Sequence, residues 1–159
     1  MKTRGFFAIG VVHGINPVNI GTLWRTANIF GAAFIFTVGK RYKRQASDTL
    51  KTPRHIPLFH FATIEDLVEH LPHACPLIGV ELQPDAVPSH LFNHPQQACY
   101  LLGAEDNGLT RAEQERCHRT LVLPGTSSLN VAVAGSLVLY DRWRQMQPDV
   151  VVGIEAELV

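Results

Sequence analysis

LVLPGTSSLNVAVAGSLVLY, residues 121–140, changes character in its middle. An apolar run, TLVLP at 120–124, is stopped by Pro124 and Gly125. Thr126, Ser127 and Ser128 follow, all residue types that cap helices. Leu129, Val131, Val133, Leu137, Val138 and Leu139 then supply apolar positions for a helix over 128–146. Ala132, Ala134, Gly135 and Ser136 lie between them. Small side chains suit a helix that must let backbone or ligand come close. Asn130 stands among apolar neighbours and needs a hydrogen-bond partner. A buried strand passing through a tight turn into such a helix is one unit of an α/β fold.

The rest of the chain repeats that unit. Apolar runs at 6–12, 33–38, 76–82 and 98–103 read as further buried strands. Asn19 is placed to cap a helix over about 20–30, with Gly31 to end it. Thr63 with Asp66 and Thr110 with Glu113 form capping boxes for helices at 64–71 and 111–118. Residues 39–62 and 84–95, broken by prolines, read mostly as loop. Strands apolar throughout, alternating with helices, predict a mostly parallel sheet covered by helices on both faces. The expected organisation is one domain over 1–147 and a short apolar-acidic tail, 148–159, whose sequence suggests no role.

A chain of 159 residues with 46% hydrophobic and 18% charged residues suits a globular domain. No apolar run reaches the ~18–20 residues that span a bilayer. The opening MKTRGFFAIGVVHG lacks a small-residue cleavage pattern and reads as a first strand rather than a signal peptide. Three unclustered cysteines, Cys75, Cys99 and Cys117, argue for a reducing compartment, so a cytoplasmic protein is expected. The eight histidines lack partners at metal-site spacing, and no metal is expected. The zero net charge hides an asymmetry. Residues 1–55 hold nine Lys or Arg and one acid, Asp48; residues 56–159 hold five and thirteen. The basic part, densest at Lys40, Arg41, Lys43 and Arg44 and continued by Lys51 and Arg54, fits RNA or another polyanion, with Tyr42 available to stack on a base. A solvated basic loop is the alternative.

Ligands of open α/β sheets bind beyond the carboxyl ends of the strands. Three unusual stretches fall there. NPVNIGTLWRTANIFG, 16–31, places Arg25 on a helix among Leu23, Trp24 and Ala27, where it serves either as a surface residue or as a partner for a phosphate or carboxylate. LLGAEDNGLT, 101–110, brackets Glu105 between Gly103 and Gly108. Its spacing is like a P-loop, but Leu109 stands where the phosphate-gripping lysine belongs, which argues against a nucleoside triphosphatase. The third stretch is Ser128–Asn130.

Together these motifs resemble the SPOUT class of knotted RNA methyltransferases, in its SpoU/TrmH branch. Asn19 and Arg25 match the first family motif; Gly103, Glu105, Gly108 and Leu109 the second; Pro124 and Ser128–Val131 the third. The resemblance covers 6–146. It implies a C-terminal deep trefoil knot whose loops hold S-adenosylmethionine, with small residues at 132 and 134–136 letting the last helix pack against them. It implies cofactor contacts from Val80, Gly103, Glu105, Gly108, Leu123, Pro124, Ser128, Leu129 and Asn130, with Asn130 bonding in the site or at a dimer contact. It implies methyl transfer to a ribose 2′-hydroxyl with Arg25 and Asn19 as catalytic residues, on tRNA first and rRNA second, by a homodimer gripping RNA through the basic loop. A catalytically silent RNA-binding module and an unrelated nucleotide-binding domain are the competing readings.

Overall fold

The computed structural model describes residues 5–146; the tail at 148–159 lies outside the described residues. Seven strands form one sheet: β1 (Phe6–Val12), β2 (Phe34–Val38), β3 (Leu58–Phe61), β4 (Leu77–Val80), β5 (Val87–Pro88), β6 (Gln97–Leu102) and β7 (Arg119–Val122). Their order is β3-β2-β1-β6-β4-β7-β5, and every pairing is parallel. The helices are α1 (Pro17–Phe30), α2 (Ile64–Glu69), α3 (Arg111–Arg116) and α4 (Val131–Met146).

The continuous apolar strands are explained by burial on both faces. In β1, Ile9 and Val11 face the core shared with α1 and α4. Ala8 and Val12 face the second core, which contains Ile64 and Leu67 of α2. Two short strands escape the apolar-run criterion. β3 is four residues at the sheet edge, after Pro57, and Phe59 is exposed. β5 is two residues paired to β7.

α2 and α3 start where the sequence suggests, at Ile64 and Arg111, whereas α1 and α4 do not. α1 begins at Pro17 and is capped by Asn16, whose Oδ1 accepts from the Val18 N–H at 3.0 Å. Proline is preorganised for the first helical position and has no N–H to satisfy. Asn19 therefore lies inside the first turn with its side chain free for another partner. Gly31 ends the helix in the left-handed region at φ 80°. The Thr110/Glu113 capping box is reciprocal. At α2 only Thr63 caps; the Asp66 carboxylate accepts from the Ala62 N–H, not from the Thr63 N–H. α4 begins after Asn130, whose Oδ1 accepts from the Ala132 N–H at 2.9 Å and the Val133 N–H at 3.4 Å. Asn130 is thus an exposed N-cap, and Thr126, Ser127 and Ser128 belong to the turn before it.

The small residues of α4 are matched chiefly to α1. A Cβ on Gly135 would lie 2.3 Å from Leu23 Cδ1 and 3.4 Å from Ile9 Cδ1. Ser136 Oγ donates to the Ala132 carbonyl at 2.6 Å and lies 3.3 Å from Thr26 Oγ1. The close partner of the helix is another helix; Ala134 alone of 132–136 also borders the ligand cleft described below. At the far end of α4, buried Arg142 donates to the Gln96 and Pro95 carbonyls and fixes the helix to the segment entering β6.

Candidate active site

A cleft open to solvent lies beyond the carboxyl ends of β4, β6 and β7. Its walls come from three chain segments: Val80–Leu82 after β4, Leu102–Gly108 after β6, and Val122–Val131 between β7 and α4. Of the residues expected at a cofactor site, Val80, Gly103, Glu105, Gly108, Leu123, Ser128 and Leu129 line this cleft. Pro124 is exposed beside it without lining it, and Asn130 serves as the cap of α4.

The glycine turn after β6 has little freedom. Its Ala104 carbonyl accepts from the Gly108 N–H at 2.8 Å. A Cβ on Gly103 would lie 2.2 Å from the Gly108 carbonyl carbon, and Gly108 occupies the left-handed region at φ 61°. Both positions therefore require glycine, and backbone rather than side chain forms that wall.

Glu105 connects this turn to α1. Its Oε1 accepts from the Asn19 side-chain amide at 2.6 Å, and its Oε2 accepts from the Asn16 N–H at 3.1 Å. A carboxylate near a helix N-terminus also meets the positive end of the helix dipole. The first two sequence motifs are thereby one structural unit.

Arg25 lies six residues, about 1.7 helical turns, beyond Asn19; it is exposed and does not line the cleft. It shares a face of α1 with Gly21, four residues earlier. The basic loop packs on that face: a Cβ on Gly21 would lie 2.3 Å from Ser47 Oγ and 3.1 Å from the Tyr42 hydroxyl. Ser47 Oγ donates to the Val18 carbonyl at 2.7 Å. Within the loop, buried Asp48 accepts from the Thr52 N–H and hydroxyl, both at 2.8 Å. Tyr42 is not free to stack on a base. Its ring packs edge-on against Trp24 at 5.9 Å, its hydroxyl accepts from the Gln45 N–H, and burial raises its phenol above the ordinary range. The sequence signal of a basic run with an interleaved aromatic misassigns a tyrosine that anchors the run.

The cations of the two chain halves are used differently. Arg111, Arg116, Arg119, Arg142 and Arg144 each donate to a carboxylate or a carbonyl. Arg25, Lys40, Arg41, Lys43, Arg44, Lys51 and Arg54 are all exposed, and among the described residues no ion pair or side-chain hydrogen bond engages them. The loop holding most of them is fixed by Asp48, Thr52, Tyr42 and Ser47, so these charges sit on an ordered support.

Two further groups bear on the chemistry. Glu81 lines the cleft, a residue that no spacing pattern in the sequence marks. The cysteines offer no activated thiolate: burial pushes the Cys75 thiol up to about 11 and the Cys117 thiol up to about 12. Among the described residues no cluster of three or more His, Cys, Asp or Glu could hold a metal ion, and no helix is long and apolar enough to cross a membrane.

A parallel sheet flanked by helices, with a glycine-walled cleft at its carboxyl edge, defines an α/β protein of the open-sheet class, and similarity to known proteins narrows that class. The model of the SpoU rRNA Methylase family matches residues 7–140, and the chain belongs to that family. It is 28% identical over 137 residues to the Escherichia coli K12 protein named tRNA (guanosine(18)-2′-O)-methyltransferase, covering 82% of this chain and 60% of that one. It is 27% identical over 143 residues to the 23S rRNA (guanosine-2′-O-)-methyltransferase RlmB of Acinetobacter baylyi, covering 82% and 56%. The chain thus spans about 60% of the length of these relatives. Among solved structures, the TrmH/SpoU tRNA modifying enzyme of A. aeolicus superposes with a TM-score of 0.81 at 19% identity, over 92% of this chain and 78% of that one. The SpoU methyltransferase AviRb of Streptomyces viridochromogenes, crystallised with AdoMet, superposes with a TM-score of 0.75 at 25% identity, over 90% and 58%.

Proposed function

We propose that this chain transfers a methyl group from S-adenosylmethionine to a ribose 2′-hydroxyl of RNA, with tRNA as the favoured substrate and rRNA second. The observation that carries the reading is the bond from Asn19 to Glu105, which ties α1 to the glycine turn of the cleft. The relatives named as tRNA and rRNA 2′-O-methyltransferases and the AdoMet-bound neighbour support it.

The residues present fit this cofactor. Val80, Leu102, Leu123 and Leu129 supply apolar walls, and Gly103 and Gly108 supply a backbone wall that a side chain would disrupt. Pro124 and Asn130 support the cleft from outside, one shaping the turn and one capping α4. The cofactor supplies an activated methyl on a sulfonium. The protein's work is alignment: the nucleophilic oxygen must lie opposite the breaking S–C bond. Transfer would form the O–C bond as the methyl–sulfur bond breaks, and the hydroxyl proton would pass to solvent water. Arg25 binds the phosphate beside the target ribose and stabilises the developing alkoxide. A guanidinium protonated above pH 12 is an awkward proton acceptor but a good bidentate partner for phosphate. Asn19 sets the position of the glycine turn relative to Arg25.

Lys40, Arg41, Lys43, Arg44, Lys51 and Arg54 grip the RNA backbone. Their exposure, lack of described partners and ordered support favour a phosphate-rich ligand over a merely solvated loop. We also infer a homodimer. Val133, Leu137 and Tyr140 on α4, with Val18 on α1 and the adjoining Leu129, are exposed apolar residues in the described chain, and a second copy covering them would add its surface near the cleft. The expected trefoil knot is consistent with β7 lying between β4 and β5 while the chain beyond it returns to pack on α1. Free thiols at Cys75, Cys99 and Cys117 fit a cytoplasmic setting.

The decisive experiment incubates the protein with methyl-labelled S-adenosylmethionine and separate pools of unmodified tRNA and rRNA, followed by nucleoside analysis. Label in a 2′-O-methyl nucleoside is expected. Cofactor binding without transfer to either pool would favour the silent RNA-binding module.

A further inference from the structure

We propose that Glu81 is a positioning residue for the cofactor cleft, holding the 103–108 glycine turn in its binding form. The inference rests on the reading of that cleft as the S-adenosylmethionine site. Glu81 is the first residue beyond β4, and its own N–H donates to the Leu121 carbonyl of β7 at 3.1 Å. The base of the side chain is therefore fixed by the sheet. Its carboxylate then spans to the neighbouring strand end. Oε2 accepts from the Leu109 N–H at 2.6 Å, and Oε1 accepts from the Leu82 N–H at 2.8 Å.

This bond acts where the turn must be exact in shape. Leu109 is buried at 3% exposure, and its carbonyl accepts from Gln114 Nε2 at 2.7 Å. Gly108, immediately before it, touches the carboxylate so closely that a Cβ there would lie 2.3 Å from Glu81 Oε2. Gly108 in turn backs Gly103. Two carboxylates thus hold the turn from opposite sides: Glu105 ties it to α1, and Glu81 ties it to β4. Without Glu81 the Leu109 N–H loses a charge-assisted partner in a part-buried place, and the turn gains alternatives that do not match the ligand.

The substitutions separate this role from bulk. Glu81→Ala removes both acceptors. Glu81→Gln keeps the shape but can accept with only one of its two atoms, because its amide nitrogen donates. Two readouts test the proposal. The first needs no cofactor: amide hydrogen exchange at Leu109 is expected to quicken at least about tenfold in Glu81→Ala, and less in Glu81→Gln, while exchange in β1 stays protected. The second is affinity for S-adenosylmethionine by calorimetry, expected to weaken about 10- to 100-fold in Glu81→Ala. Unchanged Leu109 exchange overturns the positioning role, as does unchanged cofactor affinity in a variant whose exchange has quickened. Wild-type protein that fails to bind S-adenosylmethionine overturns the cofactor reading instead, and the Leu109 exchange then still decides whether Glu81 holds the turn. Should Glu81→Ala fail to fold, Glu81→Gln carries both readouts.

Discussion

The Asn19 side-chain amide donates to Glu105 Oε1 at 2.6 Å, across 86 positions of sequence. The same carboxylate accepts from the Asn16 N–H, so one acid fixes both the start of α1 and the turn beyond β6. Glu105→Ala leaves two donors to find water and frees the turn from the helix. A hydrogen bond to a charged group contributes about 1.5–3 kcal/mol, which converts to a rate loss of about 10- to 100-fold where the geometry matters for turnover. Methyl transfer to RNA should fall by that order while the protein stays folded. Wild-type turnover in the variant would separate this bond from catalysis.

Gly135 faces Leu23, which is fully buried and cannot move away. Gly135→Ala gains roughly 1 kcal/mol of helix propensity. It loses about 1–3 kcal/mol to overpacking, because the new Cβ would sit 2.3 Å from Leu23 Cδ1. Net destabilisation of up to about 2 kcal/mol is expected in urea unfolding. The pairing with Leu23→Ala should be strongly non-additive, since removing the clashing methyl groups restores room for the added one. Additive effects would place the clash elsewhere.

How far the sequence reveals this architecture depends on how local each signal is. β1, β2, β4 and β6 are visible because each is largely buried on both faces and mostly apolar, whereas β7, RTLV with Arg119 exposed, shows only through its apolar end before Pro124. β3 is hidden because an edge strand of four residues after Pro57, with Phe59 exposed, has no run long enough to mark it. The glycines at 103 and 108 are legible as a turn, since their spacing is itself local. Glu81 is not, because the need for an acid there arises from Leu109, 28 residues away. Asn130 and Tyr42 each allow two readings for one shared reason. A polar group beside apolar residues, or an aromatic beside charges, is compatible with either ligand contact or structural anchoring, and only their partners decide: the α4 N–H groups for one, Trp24 for the other.

His94 gives a pH prediction. Its Nδ1 lies 2.5 Å from the Tyr100 hydroxyl and its Nε2 3.1 Å from Asp141 Oδ2. Burial lowers its pKa, Asp141 opposes the shift, and Arg142 and Arg119 add to it. Burial lowers His60 as well, assisted by Arg41. A histidine whose folded pKa is depressed stays neutral in the native protein while the unfolded chain already binds a proton. Stability is therefore complete above the unfolded value of about 6.5 and falls as pH drops from there toward the folded value. Unfolding free energy should be lower at pH 5.5 than at pH 7.5, and His94→Gln should flatten that slope. Equal slopes in wild type and variant would remove His94 from the account.

Reversing charge at Arg41 and Lys43 tests the basic loop without touching its anchors, which are Tyr42, Ser47, Asp48 and Thr52. Arg41→Glu with Lys43→Glu should weaken RNA binding and flatten the dependence of log affinity on log salt by about 0.7–0.9 for each phosphate no longer neutralised. Cofactor affinity should not change, because neither residue lines the cleft. RNA affinity equal to wild type at two salt concentrations would rule the loop out as the grip.

Arg25→Lys decides the role of the cation outside that loop that has no partner among the described residues. Arg25 and the loop share one face of α1, away from the cleft walls, so Arg25 is placed to meet RNA rather than cofactor. Lysine keeps the charge and most of the reach but presents a compact ammonium in place of a planar fork. If Arg25 acted only as one more positive charge in the patch, the substitution would leave turnover near normal. A guanidinium that holds a phosphate through two parallel bonds, and thereby fixes the ribose against the cofactor, has no substitute in an ammonium. Most turnover should then disappear, with cofactor affinity unchanged and RNA affinity reduced only modestly. Single-turnover methyl transfer at saturating RNA and cofactor separates the two cases, since it reads alignment after both ligands are bound. A near-normal single-turnover rate would return Arg25 to the general electrostatic patch and leave alignment to Asn19 and the glycine turn.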